Sequence, residues 1–544
     1  MARALALLAL LFPLAAAAQV SEVIEVRVVE IEVVVVDAQG HPVSGLTKGD
    51  FELREGGKPR EITNFYAVER GQLLREPAAG GAVPVTAAQA EPPLPAPPTH
   101  MAFFIDNMHL EMRQRNKVLD AVRRFAEAQV KGGVTASLIT FDRTAAKVRV
   151  PFTSDKSKIL AAIDELERES PHQLEQVSER RSLMRRIDAA TVASGRRGSG
   201  DEPDRIWRGV MTYAYEQSHI LDDSVTALSD ALKRLHGVPG RKILVHVSSG
   251  LPLQPGIELM DYFRQAFRSD PNLVNMAGLE VQKTSSIARV IADAQASGVT
   301  VDTIDAGGIA GYSGADVEDG GSVAHLDSTL MRNNGRQTIQ LLADETGGRA
   351  IINENDFDRA LLEISADTTT YYSLGFRGEG DSAALKHVDV RVKRPGLTVR
   401  ASKAYRERTF EERILEGVES GFDFPTEVNP LGAAVDIGEP HEDTGLFAVP
   451  ITLTVSPGRL VALPADQGRA AHVRCYYEVR DSNGGTSPLR VVDQDVPIEG
   501  EEAPVRLTRV AGLRLRRGHY TLSLAVRDLT TNETSFVQKA IEVR

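Results

Sequence analysis

One cysteine, Cys475, stands in 544 residues. A lone thiol can close no intramolecular disulfide and build no thiolate zinc cluster, so neither device holds this chain together. Its expected role is that of a small buried strand residue. An excess of basic residues is also missing: 63 Lys and Arg face 75 Asp and Glu, a formal charge of −12. Proteins dedicated to nucleic acid concentrate positive charge on one surface, so nucleic acid is not an expected partner. The twelve histidines form no His-Glu-x-x-His pair, and no Gly-x-x-x-x-Gly-Lys-Ser/Thr phosphate loop occurs. Ser248-Ser249-Gly250 follows an apolar run, but no glycine stands two residues before either serine, as a nucleophile elbow requires. No catalytic triad can be assembled around it, and no enzyme is expected. Beyond the N-terminus there is no second apolar run approaching the ~20 residues that cross a bilayer as a helix.

What is present is ordinary globular composition, 42% hydrophobic and 25% charged, on a chain long enough for two to four domains at roughly 100–200 residues each. Arg3, an apolar run from Ala4 to Leu14 and then Ala15 to Ala18 give the pattern of a secretory leader, residues 1–18, with the mature chain starting near Gln19. A periplasmic or secreted protein with no transmembrane segment after cleavage is expected. Residues 19–72 carry β-branched alternation and turn residues, including Gly56-Gly57, and are predicted to form a small all-β unit. Residues 73–99 hold seven of the prolines, from Pro77 to Pro98, among Ala, Gly and Thr, and read as a linker.

From residue 100 to 375 apolar strands alternate with segments of helical spacing. MAFFID, TASLITFD, RKILVHVSSG and GVTVDTIDAG are strands; MRQRNKVLDAVRRFAEAQV, SKILAAIDELERE, SVTALSDALKRLHG and SSIARVIADAQASG are helices. Such alternation predicts an α/β fold with a doubly wound, mainly parallel sheet covered on both faces. Insertions are placed at 170–220 and 307–335. A β-strand extension (376–409), a connector (410–440) and a β-sandwich of immunoglobulin type (441–544) complete the organisation, the last from its short strands separated by turns such as Asn483-Gly484-Gly485.

In this order MAFFIDN, TASLITFD, TALSDAL, RKILVHVSSG, GVTVDTIDAG and LADETGGRAI resemble a von Willebrand factor type A domain. The flanking DAQGHPVSGLTKGDFEL, ISADTTTYYSLGF and KRPGLTVRASKAY resemble a bacterial exported subgroup, the von Willebrand factor A-related proteins typical of acidobacteria. The resemblance implies a metal-ion-dependent adhesion site at the carboxyl edge of the sheet, built from Asp-x-Ser-x-Ser, a Thr and a later Asp. Hard oxygen donors there hold Mg²⁺ or Ca²⁺ and leave a position for an acidic group of the partner. Asp106 matches the first Asp and Thr226 the Thr. Met108 and Leu110 stand in place of the two serines, and Ser249 in place of the last Asp.

The site is therefore expected to be degenerate, and two readings stay open. Asp106 caps the following helix or bonds loop amides without metal, or an altered Mg²⁺ or Ca²⁺ site draws on Asn107, His109, Asp142 and Asp305. Asn107, His109 and Ser249 are the candidate partner-binding residues. The expected function is non-catalytic protein binding, with an envelope or extracellular protein as partner. An envelope scaffold without metal is one alternative, and a hydrolase whose site is not recognisable from sequence is another.

Overall fold

The computed structural model describes residues 28–75, 96–110, 112–130, 133–142, 145–169, 174–194, 202–268, 283–307, 322–378, 384–456, 458–465, 468–498, 505–507 and 512–544. The leader and most of the Pro-rich linker lie outside the described residues, as does much of the insertion at 307–335.

The first strands are β1 (Val28–Val36), β2 (Phe51–Glu55), β3 (Lys58–Arg60), β4 (Asn64–Glu69) and β5 (Gln72–Arg75). The chain then enters an α/β unit with β6 (Thr99–Asp106), α1 (Met112–Gln129), β7 (Val134–Phe141), β8 (Ala146–Thr153) and α2 (Lys156–Arg168). It continues through α3 (Leu174–Ser194), α4 (Glu202–Arg234), β9 (Arg241–Ser248), α5 (Ile257–Ala266), α6 (Thr284–Ser297) and β10 (Val299–Asp305). It closes with α7 (Ser322–Thr346), β11 (Ala350–Ile351) and α8 (Phe357–Thr369).

The sheet order is β11-β10-β9-β6-β7-β8, parallel except for the β7–β8 hairpin at one edge. The first strand lies at the centre and the order reverses there, so a crevice opens at the carboxyl ends of β6 and β9. Strand periodicity explains why both faces are covered. Met101, Phe103 and Ile105 pack with α1, α2 and α8, while Ala102 and Phe104 pack with α4 and α6. Each large side chain so buried contributes roughly 1.5–3 kcal/mol. Part of the first insertion is helical: α3, the N-terminal half of α4 and α5 share a core around Trp207, Phe263 and Ile187.

Four strands follow: β12 (Tyr371–Arg377), β13 (Leu385–Val392), β14 (Thr398–Ala401) and β15 (Ala404–Arg406). They do not form an extension of their own. β12 lies between β1 and β4 in the sheet β14-β1-β12-β4-β5, and β13 pairs with β2 in the sheet β15-β13-β2-β3. Residues on either side of the α/β unit thus share one β unit around Val33, Leu53, Leu374 and Val388. The segments divided in the sequence reading as 19–72 and 376–409 are joined here, and β12, read within the α/β region, is a central strand of the joined body. Local alternation shows that a strand forms; it carries no information on a partner some 300 residues away.

The connector begins with α9 (Phe410–Gly421), started by a reciprocal capping box in which Thr409 and Glu412 satisfy each other's backbone amides. Beyond it come β16 (Ala434–Ile437), β17 (His441–Asp443), β18 (Leu446–Val455), β19 (Leu463–Ala465) and β20 (Gly468–Asp481). The last strands are β21 (Arg490–Pro497), β22 (Val505–Leu507), β23 (Gly512–Leu515), β24 (Gly518–Asp528) and β25 (Thr534–Val543). They form two antiparallel sheets, one around β18 and one around β20 and β24, with a shared core that includes Cys475. Burial pushes the Cys475 thiol up to about 12, so it is inert at neutral pH.

Helix α9 is wedged between the α/β unit and this last body. The Gly237 amide donates to Ser420 Oγ at 2.8 Å, and a Cβ on Gly237 would overlap the Glu416 carbonyl oxygen. On its other side α9 has Gly417 against the Phe536 ring. Gly237→Ala is expected to lower stability by about 1–3 kcal/mol through this overlap, read as a lower urea midpoint of the full chain. An unchanged midpoint would show that α9 does not dock so closely.

Candidate functional site

Asp106 ends β6 and has no exposed surface. Its carboxylate is fully engaged by groups of the same chain. Oδ1 accepts the Met108 amide at 3.2 Å in an Asx-type turn. Oδ2 faces His109 Nδ1 at 2.7 Å, Ser248 Oγ at 3.1 Å and Ser224 Oγ at 3.2 Å. Helix α1 starts only at Met112, so Asp106 organises its loop and does not cap the helix. Burial works against the charge on both members of the Asp106–His109 pair, yet each stabilises the other. The Asp106 pKa is lowered and that of His109 raised. His246, buried nearby, is pushed down to about 4 by desolvation and is neutral.

The two positions that would carry serines in an adhesion site do something else. Leu110 enters the core on the α1 face and Met108 the core on the α4 face. Apolar side chains plug both faces of the sheet beneath the loop and supply no oxygen toward its centre. Thr226 is exposed on α4; Ser224, two residues earlier, is the hydroxyl that reaches Asp106. Likewise Ser248, not Ser249, bonds the carboxylate. The Ser249 hydroxyl is buried with no hydrogen-bond partner among the described residues, in a turn where Gly250 packs directly on Gly335 of α7.

The neighbouring strand ends repeat the arrangement. Asp142, after β7, accepts from Asn107 Nδ2 at 2.6 Å, Thr140 Oγ1 at 2.7 Å and an Arg149 guanidinium nitrogen at 2.8 Å. Burial opposes its charge, but these donors hold its pKa below the ordinary carboxylate value. Asp305, ending β10, accepts from the Gly307 amide at 2.9 Å and Arg336 Nε at 2.6 Å. Asn107 is itself buried and spends its side-chain amide on Asp142. His109 combines an ion pair with a small exposed surface, its side chain 13% accessible, as does Asp142 in its pair with Arg149.

Three carboxylates at the carboxyl edge therefore have three cations from the same chain: His109, Arg149 and Arg336. Among the described residues, no group of three or more His, Cys, Asp or Glu is placed to hold a metal ion. The donors on Asp106 also disfavour one, because Mg²⁺ or Ca²⁺ would have to expel an imidazolium and turn both serine hydroxyls from donors into ligands. Sequence reasoning passed over Ser224, Ser248, Arg149 and Arg336. The Ser248-Ser249 doublet and Ser224-Val225-Thr226 offered two hydroxyls each without saying which faces inward, and no local pattern marks Arg336.

No family model matches the chain, and no curated protein matches it. Solved structures it resembles include an aerotolerance-related membrane protein from Bacteroides fragilis, at 12% identity over 50% of this chain and 98% of that one, TM-score 0.25. The von Willebrand factor domain of the type V pili tip protein Mfa5 from Porphyromonas gingivalis is similar at 11% identity over 53% of this chain and 99% of that one, TM-score 0.26. The three N-terminal domains of the same protein align at 9% identity over 92% of this chain and all of that one, TM-score 0.28.

Removing His109 leaves a buried, uncompensated carboxylate, so His109→Ala is expected to cost about 3–5 kcal/mol near pH 6. The pH dependence follows from the two shifts. The raised His109 contributes stability below its unfolded value of 6.5 and loses it as pH rises through the folded value. The lowered Asp106 contributes above 3.8 and loses it as pH falls through its own folded value. The gap in urea midpoint between wild type and His109→Ala should be widest at roughly pH 4–6.5 and narrow above it. A gap that does not narrow as pH rises past 6.5 would contradict the ion pair.

Proposed function

We propose that this chain is an exported, non-catalytic protein-binding protein whose A-type domain works without a resident metal. One observation carries the reading: among the described residues, Asp106, Asp142 and Asp305 at the carboxyl edge of the sheet are each paired with a side chain of the same molecule. An adhesion site that recognises acidic partners through Mg²⁺ or Ca²⁺ needs the opposite, a cluster of oxygens short of positive charge. The three carboxylates at this edge are engaged in ion pairs and hydrogen bonds, which supports a shaped surface over a reacting one.

Partner contact would then fall to the helices mounted beyond the edge. Ser224 of α4 touches Asp106, so the part of α4 preceding it projects past the strand ends, where it packs with α3 and α5. Tyr215, 53% exposed on this projecting part, is the large apolar side chain best placed to anchor a partner. The leader-like N-terminus and the likeness to exported A-related proteins support a place outside the cytoplasm, in the periplasm or beyond. The C-terminal pair of sheets, in this reading, is an immunoglobulin-like spacer.

A second reading, an envelope scaffold, is favoured by the way the N-terminal strands, β12 and α9 lock the units together. The two are separated by cross-linking capture from envelope and culture fractions of the source cell with the full chain, with and without EDTA. The binding reading expects the same partner in both conditions and at least a tenfold loss, about 1.4 kcal/mol, in Tyr215→Ala. Capture that requires a divalent cation, or that Tyr215→Ala leaves unchanged, would overturn it.

A further inference from the structure

At the amino edge of the sheet, opposite Asp106, the units enclose a cleft of about 830 Å³. That volume falls within the roughly 300–1,000 Å³ typical of small-molecule sites. Its walls come from all parts of the chain: β1 from the N-terminal strands, Lys242 and Val299 from the sheet, Ile414 and Glu416 from α9, and Phe536 from β25. The glycines that admit α9 at this junction, Gly237 and Gly417, bring the walls together.

The charges in the cleft are unevenly paired. Glu416 lies 3.3 Å from His236 Nε2, 3.4 Å from Arg408 Nε and 3.8 Å from an Arg406 nitrogen. Arg406 also pairs with Glu412 at 2.7 Å, and Arg408 donates to the Ala296 carbonyl. Glu32 is taken by Arg241 at 3.0 Å. Lys242 is left with one backbone acceptor, the Val238 carbonyl at 3.2 Å, and among the described residues no carboxylate lies within 4.0 Å of it. Of the remaining charged groups, Arg413 and Glu30 are exposed. Burial, and then the proximity of Arg408, push Lys242 down to about 8; burial likewise brings Arg408 down to about 10.

We propose that this cleft binds a small amphiphilic carboxylate, whose anionic head pairs with Lys242 and whose apolar body lies along Val299, Ile414 and Phe536. A bound carboxylate supplies what the half-buried ammonium lacks, a charge-assisted acceptor. The apolar lining then selects an acid with a hydrocarbon body over a bare anion. Because the walls belong to every unit, occupancy also ties the units to one another.

Calorimetric titration of the full chain with octanoate, acetate and octylamine tests this. Saturable octanoate binding is expected, with acetate at least roughly tenfold weaker and octylamine not bound. Lys242→Met should weaken octanoate by roughly tenfold or more, while Lys58→Gln, at an exposed residue that does not line the cleft, should not. Since Lys242 is unbalanced without ligand, Lys242→Met should keep or raise the urea midpoint of the free protein. No saturable octanoate heat at millimolar concentration, acetate binding as tightly as octanoate, or equal octanoate binding in Lys242→Met would overturn the proposal. So would a lower midpoint in that variant, which would mark Lys242 as a structural cation.

Discussion

A carboxylate with no exposed surface has to be neutralised where it stands, and Asp106 is such a carboxylate. Its position is dictated by the fold, since the central strand of a doubly wound sheet ends at the crevice where the order reverses. The chain supplies His109 three residues later, two serines from α4 and β9, and a loop amide. These contacts fix the course of the loop from Asp106 to Leu110, which seats Met108 and Leu110 in the cores on either side of the sheet. The carboxyl edge is thereby closed by the protein's own groups, and Asp142 with Arg149 and Asp305 with Arg336 extend that closure along it.

The same rule governs the junction between the α/β unit and the β unit. Asp367, buried at the end of α8, receives Arg349 at 2.9 Å and Arg400 at 2.6 Å. Arg241 lies 3.9 Å over the Tyr371 ring and reaches Glu32 of β1. Asp302 is pushed up to about 6 by burial, with Asp367 adding to the shift. Here charge pairing joins strands far apart in sequence, whereas at the carboxyl edge it stays inside one domain. Such pairs add less net stability than apolar packing of equal size; what they fix is which groups meet. The cleft at the amino edge is where this matching is left incomplete, and Lys242 is the group left over.

Much of the α/β unit was legible in the sequence because its strands are buried on both faces and read as continuous apolar runs, as in MAFFID and RKILVHV. The division into β units was less so. β1 and β12 each look like a strand, but their pairing, Val28 with Arg377 through Val33 with Tyr372, is a long-range fact that no local period encodes. Helix α9 carried a readable start, Thr409 three residues before Glu412, at the head of a segment read only as a connector. At the candidate site, Asp106 was legible from strand-then-acid. The choices of Ser224 over Thr226 and Ser248 over Ser249 were not, because they turn on which way α4 and β9 face. The role of His109 was harder still: its spacing from Asp106 is visible, but that an imidazolium stands on the carboxylate depends on the burial of both.

The central claim is that His109 occupies the electrostatic place a divalent cation would take at Asp106. The most direct test is titration of Mg²⁺ and Ca²⁺ into the full chain by calorimetry at neutral pH, beside Asp106→Asn. The account requires no saturable heat from wild type at millimolar ion. Saturable binding that disappears in Asp106→Asn would contradict it and return the carboxyl edge to a metal-dependent site.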